Sequence, residues 1–193
     1  VENSNPLKTL GFLPIFLFVF SPLSFASDEI DCPSGTASGS TCWKCGDNCT
    51  AALDSTGKMT ISGTGAMKNY DIYLDSTDRT YYSRAPWNNY MDNITSLEIA
   101  DTITSIGSTA FNGTHNLASV KIPDSITVIG PYAFRDSCIT NVEFGENSQL
   151  TTIGYQAFHV SHLLSIEIPD SVTSIGERAF SGTGLTSITI PDS

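Results

Sequence analysis

The side chains with most chemistry in this 193-residue chain are its cysteines and its recurring carboxylates. Cys32, Cys42, Cys45 and Cys49 fall within eighteen residues, and Cys138 stands alone. In an exported chain, clustered cysteines pair as disulfides, and four of them allow three pairings among which spacing does not choose. The competing chemistry is zinc, because Cys42-x2-Cys45-Gly46 resembles one zinc knuckle. A ribbon site needs a second CxxC, however, and Cys32-Pro-Ser-Gly supplies one thiol only. Asp101, Asp124, Glu146, Asp170 and Asp192 recur at one sequence position and would stack at the ~4.8 Å spacing of neighbouring strands. Carboxylates that close repel unless solvated or bridged by a cation such as Ca²⁺; the expectation is that each caps its own turn and faces water. A second column, His115, Cys138 and His162, has soft-metal ligand types, but its next member is Gly184. No metal and no cofactor is expected from either column.

Matches to catalytic motifs fail on context. Ser55-x-x-Lys58 has the spacing of a serine β-lactamase motif, but neither SDN nor KTG follows. Asp54-Ser-Thr-Gly57 is one residue too long for an aspartic-protease motif, and Gly63-Thr-Gly65 reads as a turn rather than a phosphate cradle. No catalytic residue is expected.

The elements that position these side chains are announced by repetition. Ile-Pro-Asp occurs at 122–124, 168–170 and 190–192, and Ile-Gly at 106–107, 129–130, 153–154 and 175–176. Each Ile-Gly is followed three residues later by Ala-Phe, at 110–111, 133–134, 157–158 and 179–180. Units begin at Leu97, Val120, Val142, Ile166 and Ile188, with spacings of 23, 22, 24 and 22 residues. The longest absorbs its extra residues in Gly145-Glu-Asn-Ser-Gln149. Alternation over Leu117–Ile122 points Val120 and Ile122 inward and Ser119 and Lys121 outward, Pro123 ends the strand, and Asp124 is placed to cap the turn. One unit buries too little to offset its ordering entropy, so units must stack and share a core.

The pattern IPDS-[IV]-T-x-IG-x-x-AF, followed by L-x-x-[IV]-x-[IV]-P, resembles the BspA-like (treponemal-type) leucine-rich repeat. The preceding CGDNCTAALDSTGKMTISGTGAM at 45–67, and Ala85-Pro86-Trp87, resemble the cap segment that leads into such repeats. Together the resemblance covers about residues 45–193. It implies a mainly β repeat solenoid: a right-handed curved leucine-rich-repeat coil with a parallel β-sheet and a β-hairpin N-terminal cap. It also implies a secreted or cell-surface protein that binds proteins or adheres, without catalysis. Members often carry Cys in the turn after Ala-Phe, whereas that column here reads His115, Cys138, His162 and Gly184; Cys138 is therefore expected to be a buried free thiol.

Three segments follow: a signal peptide over 1–26, a Cys-containing cap with a β-hairpin over 27–93, and repeats of 22–24 residues over 94–193. Lys8, the apolar run Leu10–Phe20 and the small-x-small step Ser24-Phe25-Ala26 have the form of a secretory signal cleaved after Ala26. The apolar run is shorter than the ~20 residues of a membrane span, so no membrane insertion is expected after cleavage. In the cap, Thr50–Leu53 and Met59–Ser62 flank Asp54–Gly57 as a hairpin. Tyr70, Tyr73, Tyr81, Tyr82, Trp87 and Tyr90 either cover the open end of the first coil or form a carbohydrate platform. Asn48, Asn93 and Asn112 stand in N-glycosylation sequons. The chain stops midway through a unit at Ile190–Ser193, so further repeats, an anchor or an enzyme domain are expected beyond it.

The candidate binding surface is the outward face of the strands. One column presents Ser96, Ser119, Asn141, Ser165 and Ser187; its neighbour presents Glu98, Lys121, Glu143, Glu167 and Thr189. Solenoid sheets offer extended contact area, so the expected partner is a protein or glycan outside the cell. With nine Lys and Arg against twenty Asp and Glu, for a net charge of −11, nucleic acid is excluded as a partner. The alternative is a targeting module of a larger secreted enzyme.

Overall fold

The computed structural model describes residues 29–77 and 81–190. The expected signal peptide, residues 1–26, and Asp192 of the carboxylate column lie outside them. The first part of the chain forms β1 (Glu29–Ile30), β2 (Thr41–Gly46), β3 (Cys49–Leu53), β4 (Lys58–Gly63), β5 (Gly65–Ala66), a small hairpin of β6 (Ile72–Leu74) with β7 (Tyr81–Ser83), and a 3₁₀ helix over Asn88–Asn93. After it the chain alternates two kinds of short strand: β8 (Ser96–Ile99), β9 (Ile103–Ile106), β10 (Ser119–Ile122), β11 (Val128–Ile129), β12 (Asn141–Phe144), β13 (Thr152–Ile153) and β14 (Ser174–Ile175). The first three coils thus place one strand at the front of a shared core and one at its rear; in the next coil the rear strand β14 forms, and the front segment contributes the isolated bridge of Glu167 to Thr189. No helix among the described residues is long and apolar enough to cross a membrane.

The rear strands form one parallel sheet in the order β14-β13-β11-β9-β5. At the front, β1 to β4 run antiparallel, β8 joins β4 in parallel, and β10 pairs with β12 in parallel with Val120 opposite Val142. One hydrophobic cluster runs from Trp43 in β2 to Ala179 in the last coil, so the first part and the repeats share a single core. Alternation does what the sequence requires of it: Val120 and Ile122 are buried, and Ser119 and Lys121 are exposed.

Neighbouring coils are joined by three repeated contacts. The Phe rings stack down the core axis, with Phe111, Phe134, Phe158 and Phe180 following one another at 5.4, 5.3 and 5.7 Å; aromatic pairs of this kind add ~0.5–1.5 kcal/mol beyond their buried area. Trp87 takes the place before Phe111, 6.2 Å away, and donates its indole N–H to the Ala110 carbonyl at 2.8 Å. Thr127, Thr151 and Thr173, which follow Ile126, Leu150 and Val172, each donate both N–H and hydroxyl to the equivalent carbonyl one coil earlier. Thr127 reaches Thr104 at 2.8 and 3.0 Å, Thr151 reaches Thr127 at 2.9 and 3.0 Å, and Thr173 reaches Thr151 at 3.0 and 3.3 Å. These three hydroxyls thus tie each coil to the one before it. Finally, the N–H groups of Gly130, Gly154 and Gly176 bond to Ile106, Ile129 and Ile153.

That last contact brings backbone against backbone. A Cβ on Gly130 would lie 2.7 Å from the Ser108 nitrogen, and one on Gly154 would lie 2.6 Å from the Pro131 nitrogen. Glycine is needed here for closeness, not for an unusual dihedral. The unusual dihedrals fall elsewhere in the turn. Thr109, Tyr132, Gln156 and Arg178, each just before Ala-Phe, have φ between 51° and 59°. A second left-handed position, two residues past the Phe, holds Gly113, Asp136, Val160 and Gly182.

Two expectations need correction. Asp124 does not cap its turn, which is closed instead by Ile126 N–H to the Pro123 carbonyl at 3.1 Å; Asp124 Oδ1 is buried without a partner. Cys138 is free but only half-buried, since its side chain lies in a turn rather than the core. The other four cysteines are joined as Cys32–Cys42 and Cys45–Cys49.

The close approach and the left-handed turn predict opposite outcomes for two substitutions. Gly154→Ala, which drives a methyl into the preceding coil, is expected to lower stability by about 2–3 kcal/mol in urea unfolding. Val160→Gly removes a β-branched residue from φ 55° at a half-exposed site and is expected to raise it by about 1 kcal/mol.

Candidate functional site

The front strands turn one row of side chains into the core and the other outward, and all ten residues of the candidate face are exposed. The ladders set them side by side: Ser119 lies opposite Asn141, Lys121 opposite Glu143, and Glu167 bridges Thr189. β4 extends this face in the other direction, with Lys58 opposite Ser96 and Thr60 opposite Glu98. The sequence places Thr60 in a hairpin strand and Lys58 in a Ser-x-x-Lys spacing, and neither on this face. Their membership was legible in principle, because Lys58, Thr60 and Ser62 alternate with buried Met59 and Ile61 as the repeat strands do.

Charge is unevenly spread along the face. At the β4–β8 end, Lys58 Nζ lies 2.5 Å from Glu98 Oε2. Bonding to Glu98, then its charge, raises the Lys58 pKa, the opposite of the shift a lysine acting as a base at neutral pH needs. At the other end Glu143, Glu146, Glu167 and Asp170 gather around one groove between β12 and Ser165–Ile168. Asn141 Nδ2 donates to Glu143 Oε1 at 3.1 Å and steadies that carboxylate.

The two sequence columns do not converge on a metal position. Among the described residues no three His, Cys, Asp or Glu side chains are grouped as ligands. His115 is drawn to Asp92 of the 3₁₀ segment, Nδ1 to Oδ1 at 2.8 Å, and His162 is exposed. His159, which the sequence reading passed over, engages the Ser181 carbonyl at 2.8 Å.

The aromatics of residues 68–93 divide into two groups. Tyr70 and Trp87 are buried, and Trp43 packs on Trp87 at 6.1 Å and on Tyr90 at 5.3 Å, closing the end of the Phe stack. Tyr73 and Tyr82 pair on the surface hairpin at 5.7 Å, and Tyr81 lies under the Arg135 guanidinium at 5.4 Å. Ser83 Oγ meets Thr109 Oγ1 at 3.0 Å and fastens that hairpin to the first coil. The three sequons also divide: Asn48 and Asn93 are exposed, whereas Asn112 is buried and donates to the Tyr81 carbonyl at 3.3 Å.

A core of stacked coils, each with an Ile-Gly contact, an Ala-Phe turn and a polar front strand, defines a leucine-rich-repeat protein. The chain belongs to the family described as the BspA type leucine rich repeat region, whose model matches residues 87–193 in six copies. Among solved structures it is similar to a leucine-rich repeat protein from Eubacterium ventriosum, at 27% identity and a TM-score of 0.59, over 77% of this chain and 43% of that one. It is also similar to a leucine-rich repeat protein from Bacteroides ovatus, at 22% identity and a TM-score of 0.51, over 75% of this chain and 40% of that one. The chain thus spans less than half the length of either structure. No curated protein matches it.

The hairpin that sets Lys58 in place depends on Asp54. Its Oδ1 accepts from the Thr56 hydroxyl at 2.6 Å and from the Thr56 and Lys58 N–H groups at 2.8 and 3.1 Å. The Thr56 hydroxyl, then the backbone bonds, hold its pKa below the ordinary 3.8. Because the folded value is the lower one, the turn's contribution is complete above the ordinary carboxylate range and is lost as pH falls through the lowered value. An NMR pH titration is expected to show the Asp54 carboxyl midpoint below 3.8, and Thr56→Ala is expected to move it upward.

Proposed function

We propose that this chain is an exported, non-catalytic binding protein that engages a protein or glycan outside the cell through the exposed front face of its solenoid. The observation that carries the reading is the continuity of that face. Outward side chains from β4, β8, β10 and β12, then Ser165, Glu167, Ser187 and Thr189, form one polar surface over a single core. Membership of the repeat family supports it. Export rests on the residue pattern over 1–26, and the two disulfides suit an oxidising compartment. The acidic balance leaves polyanions as poor partners. Extended flat surfaces of this kind bind through summed contacts over many coils rather than in one enclosed pocket.

The test is a screen of the purified protein against immobilised extracellular proteins and a glycan array, followed by charge reversal on the face. Glu143→Lys with Glu167→Lys is expected to weaken any true partner by at least about tenfold. Arg178→Glu, on the turn at the rear of the core, is expected to leave it unchanged. Loss with the rear variant and none with the front pair would move the site off the sheet.

A further inference from the structure

The side chains that most often anchor a ligand are absent from the front face and collected behind it. None of the ten front residues is Trp, Tyr or Arg, the types that dominate binding hot spots. On the turns behind the core, where the β6–β7 hairpin is fastened, Tyr81, Tyr132 and Tyr155 gather with Arg135. The Arg135 guanidinium lies 5.4 Å from the Tyr81 ring, and Tyr132 meets Tyr155 edge to face at 5.3 Å. Tyr155, Arg135 and Tyr81 all act electrostatically on the Tyr132 hydroxyl, so the two pairs form one cluster. Tyr81 is 46% exposed and its cross-strand neighbour Leu74 51%, whereas Tyr132, Tyr155 and Arg135 are half-buried.

Packing does not account for the arginine. Arg135 Nε is buried without a hydrogen-bond partner, and no carboxylate among the described residues pairs with it, although Asp136 is next in the chain. Arg178, two coils on, differs in pairing with Glu177 at 3.4 Å. An unpaired cation is out of keeping with a chain of net charge −11. The backbone around it is already committed. The N–H groups of Tyr132, Arg135 and Asp136 bond to the Tyr155, Tyr132 and His159 carbonyls, and Asn112 holds the Tyr81 carbonyl. These groups offer no strand edge to a peptide, so recognition is left to rings, hydroxyls and the guanidinium. Gln156 Nε2 donates to the Tyr155 hydroxyl at 3.1 Å, which leaves that hydroxyl its own proton to give onward.

We propose that this corner is a second binding site, for a terminal sugar that carries one carboxylate. The C–H face of the sugar ring packs against the exposed part of Tyr81, because the face of an aromatic ring carries the negative part of its quadrupole. The carboxylate takes the guanidinium of Arg135, whose planar fork matches it. The tyrosine hydroxyls, each both donor and acceptor, take the hydroxyls of the sugar. One charge suits the site and many do not, since the acidic protein around it repels a polyanion. The inference does not rest on the front face, which lies on the other side of the core.

The test is a proton–nitrogen NMR titration of the purified protein with sialyllactose, with lactose as its neutral counterpart. Sialyllactose is expected to move the amide signals of Tyr81, Tyr132, Arg135 and Tyr155, and lactose to bind at least about tenfold more weakly. Arg135→Gln is expected to weaken sialyllactose at least about tenfold. Tyr81→Ala should weaken it at least about fivefold, whereas Tyr81→Phe, which keeps the ring, should cost less than about threefold. Spectra otherwise unchanged show that each variant is folded. Glu143→Lys with Glu167→Lys is expected to leave sialyllactose binding as it is. No shifts, equal binding of the two sugars, or shifts confined to the front strands overturn the site. An octapeptide alternating Glu with Tyr that moves these amides where sialyllactose does not gives the corner to an acidic protein and overturns the sugar. None of these results touches the front-face reading, which stands or falls on charge reversal at Glu143 and Glu167.

Discussion

Everything in this molecule depends on how closely one coil can lie on the next. The Ile-Gly step lets the backbones of Gly130 and Gly154 press against the coil before, where a Cβ would meet main-chain atoms. That closeness brings the rear strands within ladder distance, gives each Thr a carbonyl to bond twice, and holds the Phe rings at 5.3–5.7 Å. Replacing the glycine cannot be relieved by repacking a neighbouring side chain, because the added Cβ collides with main-chain atoms. The left-handed turns at Tyr132 and Gln156 are imposed by the same geometry, since the chain must reverse within a few residues to return its Ala-Phe to the stack.

The first part of the chain serves the same constraint from outside. An unfinished stack would expose Phe111, so Trp87 occupies the next place and Trp43 and Tyr90 cover it in turn. β4 and β5 meanwhile offer front and rear edges to β8 and β9, and the first coil is laid on a surface already shaped like a coil. The Cys32–Cys42 and Cys45–Cys49 bonds fix the outer strands of that surface, farthest from the repeats.

The repeat grammar was legible because it is periodic. Val120 and Ile122 inward, Ser119 and Lys121 outward, and the Gly, Ala and Phe columns all follow from comparing units, without any knowledge of neighbours. What resisted reading is what happens once only. Trp87 stands 24 residues before Phe111, a repeat length, yet its own unit has no Ile-Gly to declare it. The tie from the Gln149 N–H to the Asp124 carbonyl depends on which coil an insertion leans toward, and residue types do not encode that choice. Asp124 looked like a turn cap because Asp usually is one; here the Pro123 carbonyl closes the turn first. The hydroxyl of Ser125 spans to Ile103 at 2.7 Å, which assigns a bonding role that its place in the motif concealed.

The Thr-to-Thr wiring has a consequence for how such a surface changes size. Each link uses the same donors and the same carbonyl whichever two coils it joins, as Thr127, Thr151 and Thr173 show. A coil gained or lost by duplication or deletion leaves every remaining link chemically unchanged. The front face is then a ruler graduated at the strand spacing of ~4.8 Å. Reach toward a partner can be lengthened in whole steps without redesigning any single step.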